Sequence, residues 1–183
     1  MLDLLVRNAR RAHDGAVVDI ACRDGRIVEV AERIDAPRST STVDAAGNLV
    51  TPPFVDSHFH LDSTLSYGRP RVNRSGTLLE GIALWGELSR DLVGEEVKAR
   101  ARRLCHWAIA RGNLAIRSHV DVSSPDLVAV HALLELREEL APWIDVQLVA
   151  FPQEGYLRNP AARETLERAL RALEAQRDRK AQR

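Results

Sequence analysis

Two histidines separated by one residue, His58 and His60, form the sharpest chemical pattern in the chain. They close an apolar stretch that begins at Phe54 and has the composition of a β-strand. Side chains on a strand alternate between its two faces, so both imidazoles are expected on the same side. They could then bind one divalent metal ion together; the alternative is a pair of surface histidines at a strand end. The preceding apolar strand favours the metal site.

The residues before this strand predict a small β domain over 1–51. Short apolar runs are separated by Asp14-Gly15 and Asp24-Gly25, and Asp-Gly is a strong hairpin signal. We therefore expect a β meander. The apolar runs are 4–6, 17–22 and 26–30.

From residue 52 onward, strand-like runs alternate with long helical patterns, which is typical of βα units around a parallel sheet. Ser124, Pro125 and Asp126 predict the cap, first position and acidic first turn of one helix. From about residue 171 we expect a solvated helical tail, so the second domain covers 52–183. The predicted strands are 54–60, 114–122 and 145–151, and the predicted helices are 77–89, 95–111, 124–140 and 161–183.

Composition excludes some partners. The 183 residues include 26 Lys plus Arg and 26 Asp plus Glu, so the net charge of zero argues against nucleic acid. No apolar run approaches the roughly 18 residues that span a bilayer, and the first residues do not have the order of a signal peptide. We therefore predict a cytoplasmic protein with no membrane partner. Cys22 and Cys105 lie far apart in apolar segments and are predicted to be buried thiols.

The sequence PFVDSHFHLD at 53–62 resembles the first-strand metal motif of the amidohydrolase superfamily. Three further segments narrow the resemblance to the bacterial cytosine deaminases, and it continues to about Leu170. It implies an α/β fold: the first three βα units of a metal-dependent hydrolase TIM (β/α)8 barrel, preceded by a small β-sandwich domain that a missing C-terminal part would complete. The three segments are SGTLLEGI at 75–82, SHVDV at 118–122 and APWIDVQLVAFPQEG at 141–155.

The resemblance also assigns roles to individual residues. His58 and His60 would be two ligands of one divalent ion, Fe(II) or Zn(II). Gln153 would hydrogen-bond the edge of a pyrimidine, since a side-chain amide offers a donor and an acceptor together. Leu78 would contribute a backbone contact to the ring. His119 would contact the metal ligands without binding the ion itself; the alternative is a histidine packed in the core.

The implied reaction is hydrolytic deamination, in which cytosine and water give uracil and ammonia. The family's acid–base glutamate, a further metal histidine and its metal aspartate come from later strands, so no catalytic residue is expected in this chain. Asp62 is interpreted as structural, a cap for a helix or loop. We therefore expect the 183-residue polypeptide alone to be an inactive fragment that binds metal weakly.

Other functions stay open at this point. One is a related amidohydrolase that acts on another amino-substituted pyrimidine or triazine. A different one is a non-catalytic βα interaction module that pairs with another polypeptide through its open sheet edge. The expected partner of the enzyme is a small pyrimidine, and the resemblance implies a homo-oligomer for the intact family member.

Overall fold

The computed structural model describes residues 1–35, 39–157 and 161–181. The chain forms two compact units, Met1–Pro52 and Pro53–Arg183. In chain order the elements are β1 (Leu2–Arg11), β2 (Val17–Arg23), β3 (Arg26–Ala31), β4 (Ser39–Asp44), β5 (Leu49–Val50), β6 (Phe54–Phe59), α1 (Leu78–Leu88), α2 (Gly94–Ile109), β7 (Asn113–Asp121), α3 (Val128–Leu140), β8 (Asp145–Phe151) and α4 (Ala162–Ala181).

The first unit is built on one five-stranded sheet with the order β3-β2-β1-β4, in which β5 also pairs with β1. Strands β1, β2 and β3 are antiparallel, as the Asp-Gly turns predict. Strands β4 and β5 pair with β1 in parallel, which the sequence pattern did not indicate. The reason is that β4 reads STSTVD and carries little of the apolar signal on which strand prediction depends.

A buried carboxylate, Asp19 on β2, organises this sheet. It is 4% exposed and accepts hydrogen bonds from the Arg7 guanidinium and from the backbone N–H groups of Asn8, at 3.2 Å, and Ile34, at 3.1 Å. Burial alone would raise the pKa of Asp19, but these hydrogen bonds outweigh it and hold the pKa below the usual value. Asn8 lies at a bulge in β1 with a left-handed φ of 54°, which suits asparagine.

The second unit contains a parallel three-stranded sheet with the order β6-β7-β8. Along β7 the side chains of Ile116, Ser118 and Val120 are buried in the helix-covered core, and His119 lies on the opposite face. Helix α3 contributes Leu133 and Leu136 to that core. Three successive parallel strands joined through helices are the predicted first βα units of a barrel, so the predicted α/β fold class is confirmed.

The start of α3 differs from the prediction. The helix begins at Val128, and Leu127 precedes it with a left-handed φ of 51°. The Leu127 N–H donates to the Ser124 carbonyl at 3.2 Å, so a turn replaces the predicted first turn of helix. This turn places the Leu127 side chain, 3% exposed, in the core. Burial of a leucine outweighs the local preference of Ser124-Pro125 for a helix start.

The predicted solvated tail is part of α4, which runs to Ala181, and the final two residues lie outside the described ones. Leu173 still packs against the core of the unit. Within the described ranges, no helix has the length and apolarity that a membrane span requires.

The two cysteines lie in different environments. Cys105 on α2 is buried, and burial raises the pKa of its thiol to about 11. Cys22 on β2 is half-buried. The prediction of a buried thiol is therefore confirmed for Cys105, whereas Cys22 keeps some contact with solvent.

Candidate metal and substrate site

Three histidine rings meet at the carboxyl end of the parallel sheet. His58 lies on β6, His60 directly follows it, and His119 lies on β7. The ring centroids of His58 and His60 are 5.4 Å apart, and those of His60 and His119 are 5.9 Å apart. Phe151 at the end of β8 packs edge-on against His60, at 5.5 Å between centroids. The parallel register of β6 and β7 thus places His119 beside the two predicted metal residues.

The surroundings favour neutral imidazoles. Burial lowers the pKa of His60, and the neighbouring His58 lowers it further. Burial likewise lowers the pKa of His119, whose Nδ1 atom is buried without a hydrogen-bond partner. Neutral imidazole is the form that binds metal, so the lowered pKa of His60 is compatible with metal binding.

The three rings differ in how their planes are oriented. His58 and His119 are stacked, with centroids 4.0 Å apart and ring planes 24° from parallel. An imidazole presents its lone pair in the plane of the ring, so stacked rings do not converge on one ion. The edge-on pair of His58 and His60 fits a shared ion better. In the described part of the chain, no group of three or more His, Cys, Asp or Glu residues is arranged to hold a metal.

A cavity of about 350 Å³ lies beside His60. Gln153, which follows β8, and Leu78, the first residue of α1, both line it, as the resemblance implies for a substrate site. Its lining combines apolar side chains with polar and charged ones, which is typical of small-molecule sites. Its lining includes His60, Asp62, Leu78, Ile82, Trp85, Asp121 and Gln153.

The start of α1 is fixed by a capping arrangement. Thr77 Oγ1 accepts a hydrogen bond from the Glu80 N–H at 3.3 Å. The Glu80 carboxylate in turn accepts from the Ser75 N–H at 2.6 Å and lies 3.1 Å from the Arg71 guanidinium. The Ser75 hydroxyl, which donates to the same carboxylate, lowers the pKa of Glu80 to about 2. This capping places Leu78 at the first position of the helix, with a backbone N–H that has no partner within the helix.

Asp62 connects the strand ends beneath the cavity. Its side chain is 1% exposed; Oδ2 accepts from the Asp121 N–H at 2.8 Å and Oδ1 accepts from the Ser63 N–H at 2.9 Å. The Arg100 guanidinium donates to the backbone oxygens of Asp62, at 3.0 Å, and Thr64, at 3.1 Å. Burial raises the pKa of Asp62 to about 6. These are the contacts of a loop cap, and the Asp62 carboxylate lies 4.0 Å from His60 Nδ1, too far for a hydrogen bond.

Two cavity residues were missed by the sequence reasoning. Asp121 ends β7, and its Oδ2 accepts a hydrogen bond from Trp85 Nε1–H at 2.7 Å. Asp121 is two residues beyond His119 on the same strand face, and Trp85 is seven residues beyond Leu78 on the same helix face. Those two spacings were the signals that could have identified them.

Comparison with known proteins identifies the family of the chain. The profile of the amidohydrolase family matches residues 41–182. The chain is 34% identical over 164 residues to N-isopropylammelide isopropyl amidohydrolase from Pseudomonas sp. (strain ADP), covering 84% of this chain and 39% of that protein.

The fold is similar to those of several solved structures, including the following two. One is 5-methylcytosine deaminase from Klebsiella pneumoniae liganded with 5-fluorocytosine, with 39% identity, a TM-score of 0.84, and coverage of 91% of this chain and 41% of that one. The other is N-isopropylammelide isopropylaminohydrolase from Burkholderia multivorans, with 32% identity, a TM-score of 0.77, and coverage of 94% and 43%. The chain thus spans about two fifths of the length of these relatives. As its motifs predict, the chain belongs to the amidohydrolase family, whose members are hydrolases that act on carbon–nitrogen bonds.

Proposed function

We propose that this chain supplies metal ligands and substrate contacts for hydrolytic deamination of an amino-substituted pyrimidine, cytosine or a close derivative. One observation carries the proposal: His60, Leu78 and Gln153, which are far apart in the sequence, line the same cavity. The similarity to a 5-methylcytosine deaminase supports the choice of pyrimidine.

In this proposal His58 and His60 hold one divalent ion, Fe(II) or Zn(II), through imidazole nitrogens. When bound, such an ion supplies a nucleophile near neutral pH because it lowers the pKa of bound water. His119 stacks on His58 and fixes the orientation of that ring. Phe151 packs against both His60 and His119 and keeps this side of the site apolar.

The ring of the substrate would lie between the end of β8 and the start of α1. Gln153 offers an amide donor and acceptor, which match the adjacent O2 acceptor and N1–H donor of cytosine. Leu78 offers the backbone N–H that helix capping leaves available. Ile82 on the same face of α1 gives an apolar surface against the plane of the ring.

We propose that the further metal ligands and the acid–base glutamate come from residues outside the segment 41–182 that matches the family. Only two histidines of the described residues fit a shared ion, whereas catalytic zinc sites commonly use three protein ligands. We therefore expect this polypeptide alone to bind metal weakly and not to release ammonia from cytosine. The cytoplasmic location and the homo-oligomer implied by the family resemblance stay predictions.

The substrate contact is tested by calorimetric titration of the 183-residue chain with cytosine and 5-fluorocytosine. Replacing Gln153 with leucine should weaken binding about tenfold, because two neutral hydrogen bonds to the ring are lost. Gln147→Leu is the matched control, since Gln147 lies on β8 outside the cavity and bonds to Arg117 at 2.7 Å.

Binding that is equal in the Gln153 and Gln147 variants would contradict the assigned role of Gln153. Ammelide and an N-alkylated ammelide belong in the same titration, because the relatives from Pseudomonas and Burkholderia carry N-isopropylammelide in their names. Preference for those triazines over cytosine would change the substrate class and leave the metal residues as proposed.

Zinc binding tests the metal residues separately. Replacing His58 or His60 with alanine should each weaken Zn²⁺ binding at least about tenfold, since the loss of one of two ligands leaves a single imidazole. The measurement is competition with a chromophoric chelator. His131→Ala serves as the control, because His131 is exposed on α3 away from the cluster. An equal loss in all three variants would show that zinc binds elsewhere.

A further inference from the structure

We infer that Trp85 is a positioning residue: through its hydrogen bond to Asp121 it holds α1 against the end of β7 and so sets the width of the cavity. The inference rests on the proposed function in one respect, because it takes this cavity as the substrate site. Neither the sequence motifs nor the family resemblance assigned Trp85 a role.

Helix α1 has little else to hold it in place. Its 11 residues include one buried side chain, that of Leu84, while Leu78 and Leu79 are both 78% exposed. An isolated helix of this length is only marginally stable in water. Arg71 bridges Glu80 and Glu87, but these contacts are exposed and join α1 to the preceding loop, not to the sheet.

The hydrogen bond between Trp85 and Asp121 connects α1 to the sheet directly. Trp85 Nε1 lies 2.7 Å from Asp121 Oδ2, and the acceptor is part of a carboxylate, which makes the bond stronger than a neutral one. Asp121 is itself fixed, because its Oδ1 accepts from the Ser123 N–H at 2.8 Å and its own N–H donates to Asp62. One series of hydrogen bonds therefore runs from the helix to the buried carboxylate beneath the site.

The position of Trp85 on the helix gives this bond its effect on the cavity. Trp85 and Leu78 are seven residues apart and lie on the same face of α1, and both line the cavity. Leu78 and Gln153 both line the cavity. Movement of the helix away from β7 would therefore increase the distance between the Leu78 N–H and the Gln153 side chain. The tether thus keeps the two ring contacts at a fixed separation.

The test uses the full chain and two conservative variants. Trp85→Phe keeps an aromatic ring and removes the donor, and Asp121→Asn keeps the size of the acceptor and removes its charge. Hydrogen exchange of the 78–88 segment is measured without ligand, and cytosine affinity is measured by calorimetry. Trp107→Phe is the control, because Trp107 lies on α2, is 43% exposed and does not line the cavity.

In Trp85→Phe, exchange in α1 should accelerate about tenfold and cytosine affinity should fall about fivefold to tenfold, as expected for loss of one charge-assisted hydrogen bond. Asp121→Asn retains a neutral acceptor, so both effects should have the same direction and be smaller. Exchange in α3 and the behaviour of the control should stay as in the parent chain. Unchanged exchange in α1 would overturn the inference, whatever the affinity.

The remaining outcomes separate the inference from the proposed function. Faster exchange in α1 with unchanged cytosine affinity would show a tether with no influence on the site, which overturns the inference. Faster exchange in α3 as well would show general destabilisation and would also overturn it. If the parent chain binds no cytosine but α1 alone exchanges faster in the variants, the tether is supported and the assigned substrate is wrong.

Discussion

Replacing Asp62 with alanine is expected to lower the free energy of unfolding of the Pro53–Arg183 unit by about 3 kcal/mol. The carboxylate is almost fully buried and accepts from the backbone N–H groups of Ser63 and Asp121. Removing it leaves two buried or partly buried donors without a partner, and each unsatisfied donor costs roughly 1–3 kcal/mol. Urea unfolding followed by tryptophan fluorescence measures this unit, since Trp85, Trp107 and Trp143 all lie within it.

The control for this prediction is Asp126→Ala. Asp126 is exposed on the turn before α3, and its replacement should change the free energy of unfolding by less than about 0.5 kcal/mol. If the two aspartate variants are equally stable, Asp62 does not join the strand ends as described.

Replacing Asp19 with alanine is expected to destabilise the Met1–Pro52 unit by about 3 kcal/mol. The change leaves the Arg7 guanidinium partly buried without its counter-charge and removes the acceptor for the N–H groups of Asn8 and Ile34. Hydrogen exchange of the β2 peptide, measured at increasing urea concentration, reports this loss. Asp35→Ala is the control, because the Asp35 side chain is fully exposed.

The same carboxylate predicts a pH dependence. The folded pKa of Asp19 lies below the ordinary value of 3.8, so its contribution to stability is complete above that value and is lost as pH falls through the folded pKa. As the pH falls from about 4 to about 2, the parent chain should therefore lose exchange protection in β2, and Asp19→Ala should lose less. Equal losses in the two chains would assign the acid sensitivity of this sheet to other groups.

The fold could be predicted where the pattern is regular and local. The apolar runs of β6, β7 and β8 and the spacing of Val97, Ala101 and Cys105 on α2 follow the periods of strand and helix. The start of α3 could not be predicted from the local sequence. The burial of Leu127 determines where this helix begins, and that burial depends on residues elsewhere in the fold. The parallel pairing of β4 with β1 likewise depends on the assembled sheet and not on the polar sequence of β4.

Some site residues could also be predicted from the sequence, and others could not. His58 and His60 share a strand end, so a period of two suffices to place them together. Trp85 and Asp121 are joined across 36 residues by a side-chain contact that exists only in the folded unit. The stacking of His119 on His58 is also a product of strand register. Spacing predicts which residues share a face, whereas the distance between faces comes from the packed structure.

The distribution of the two thiols makes each compact unit separately measurable. Cys22 lies on β2 of one unit and Cys105 on α2 of the other, and burial raises the pKa of Cys105 to about 11. Alkylation of Cys105 therefore requires opening of the helical layer, while alkylation of the half-buried Cys22 follows fluctuations of the small sheet. The rate of alkylation of each cysteine thus reports opening of its own unit. Mass spectrometry of the two cysteine-containing peptides measures both rates in a single sample.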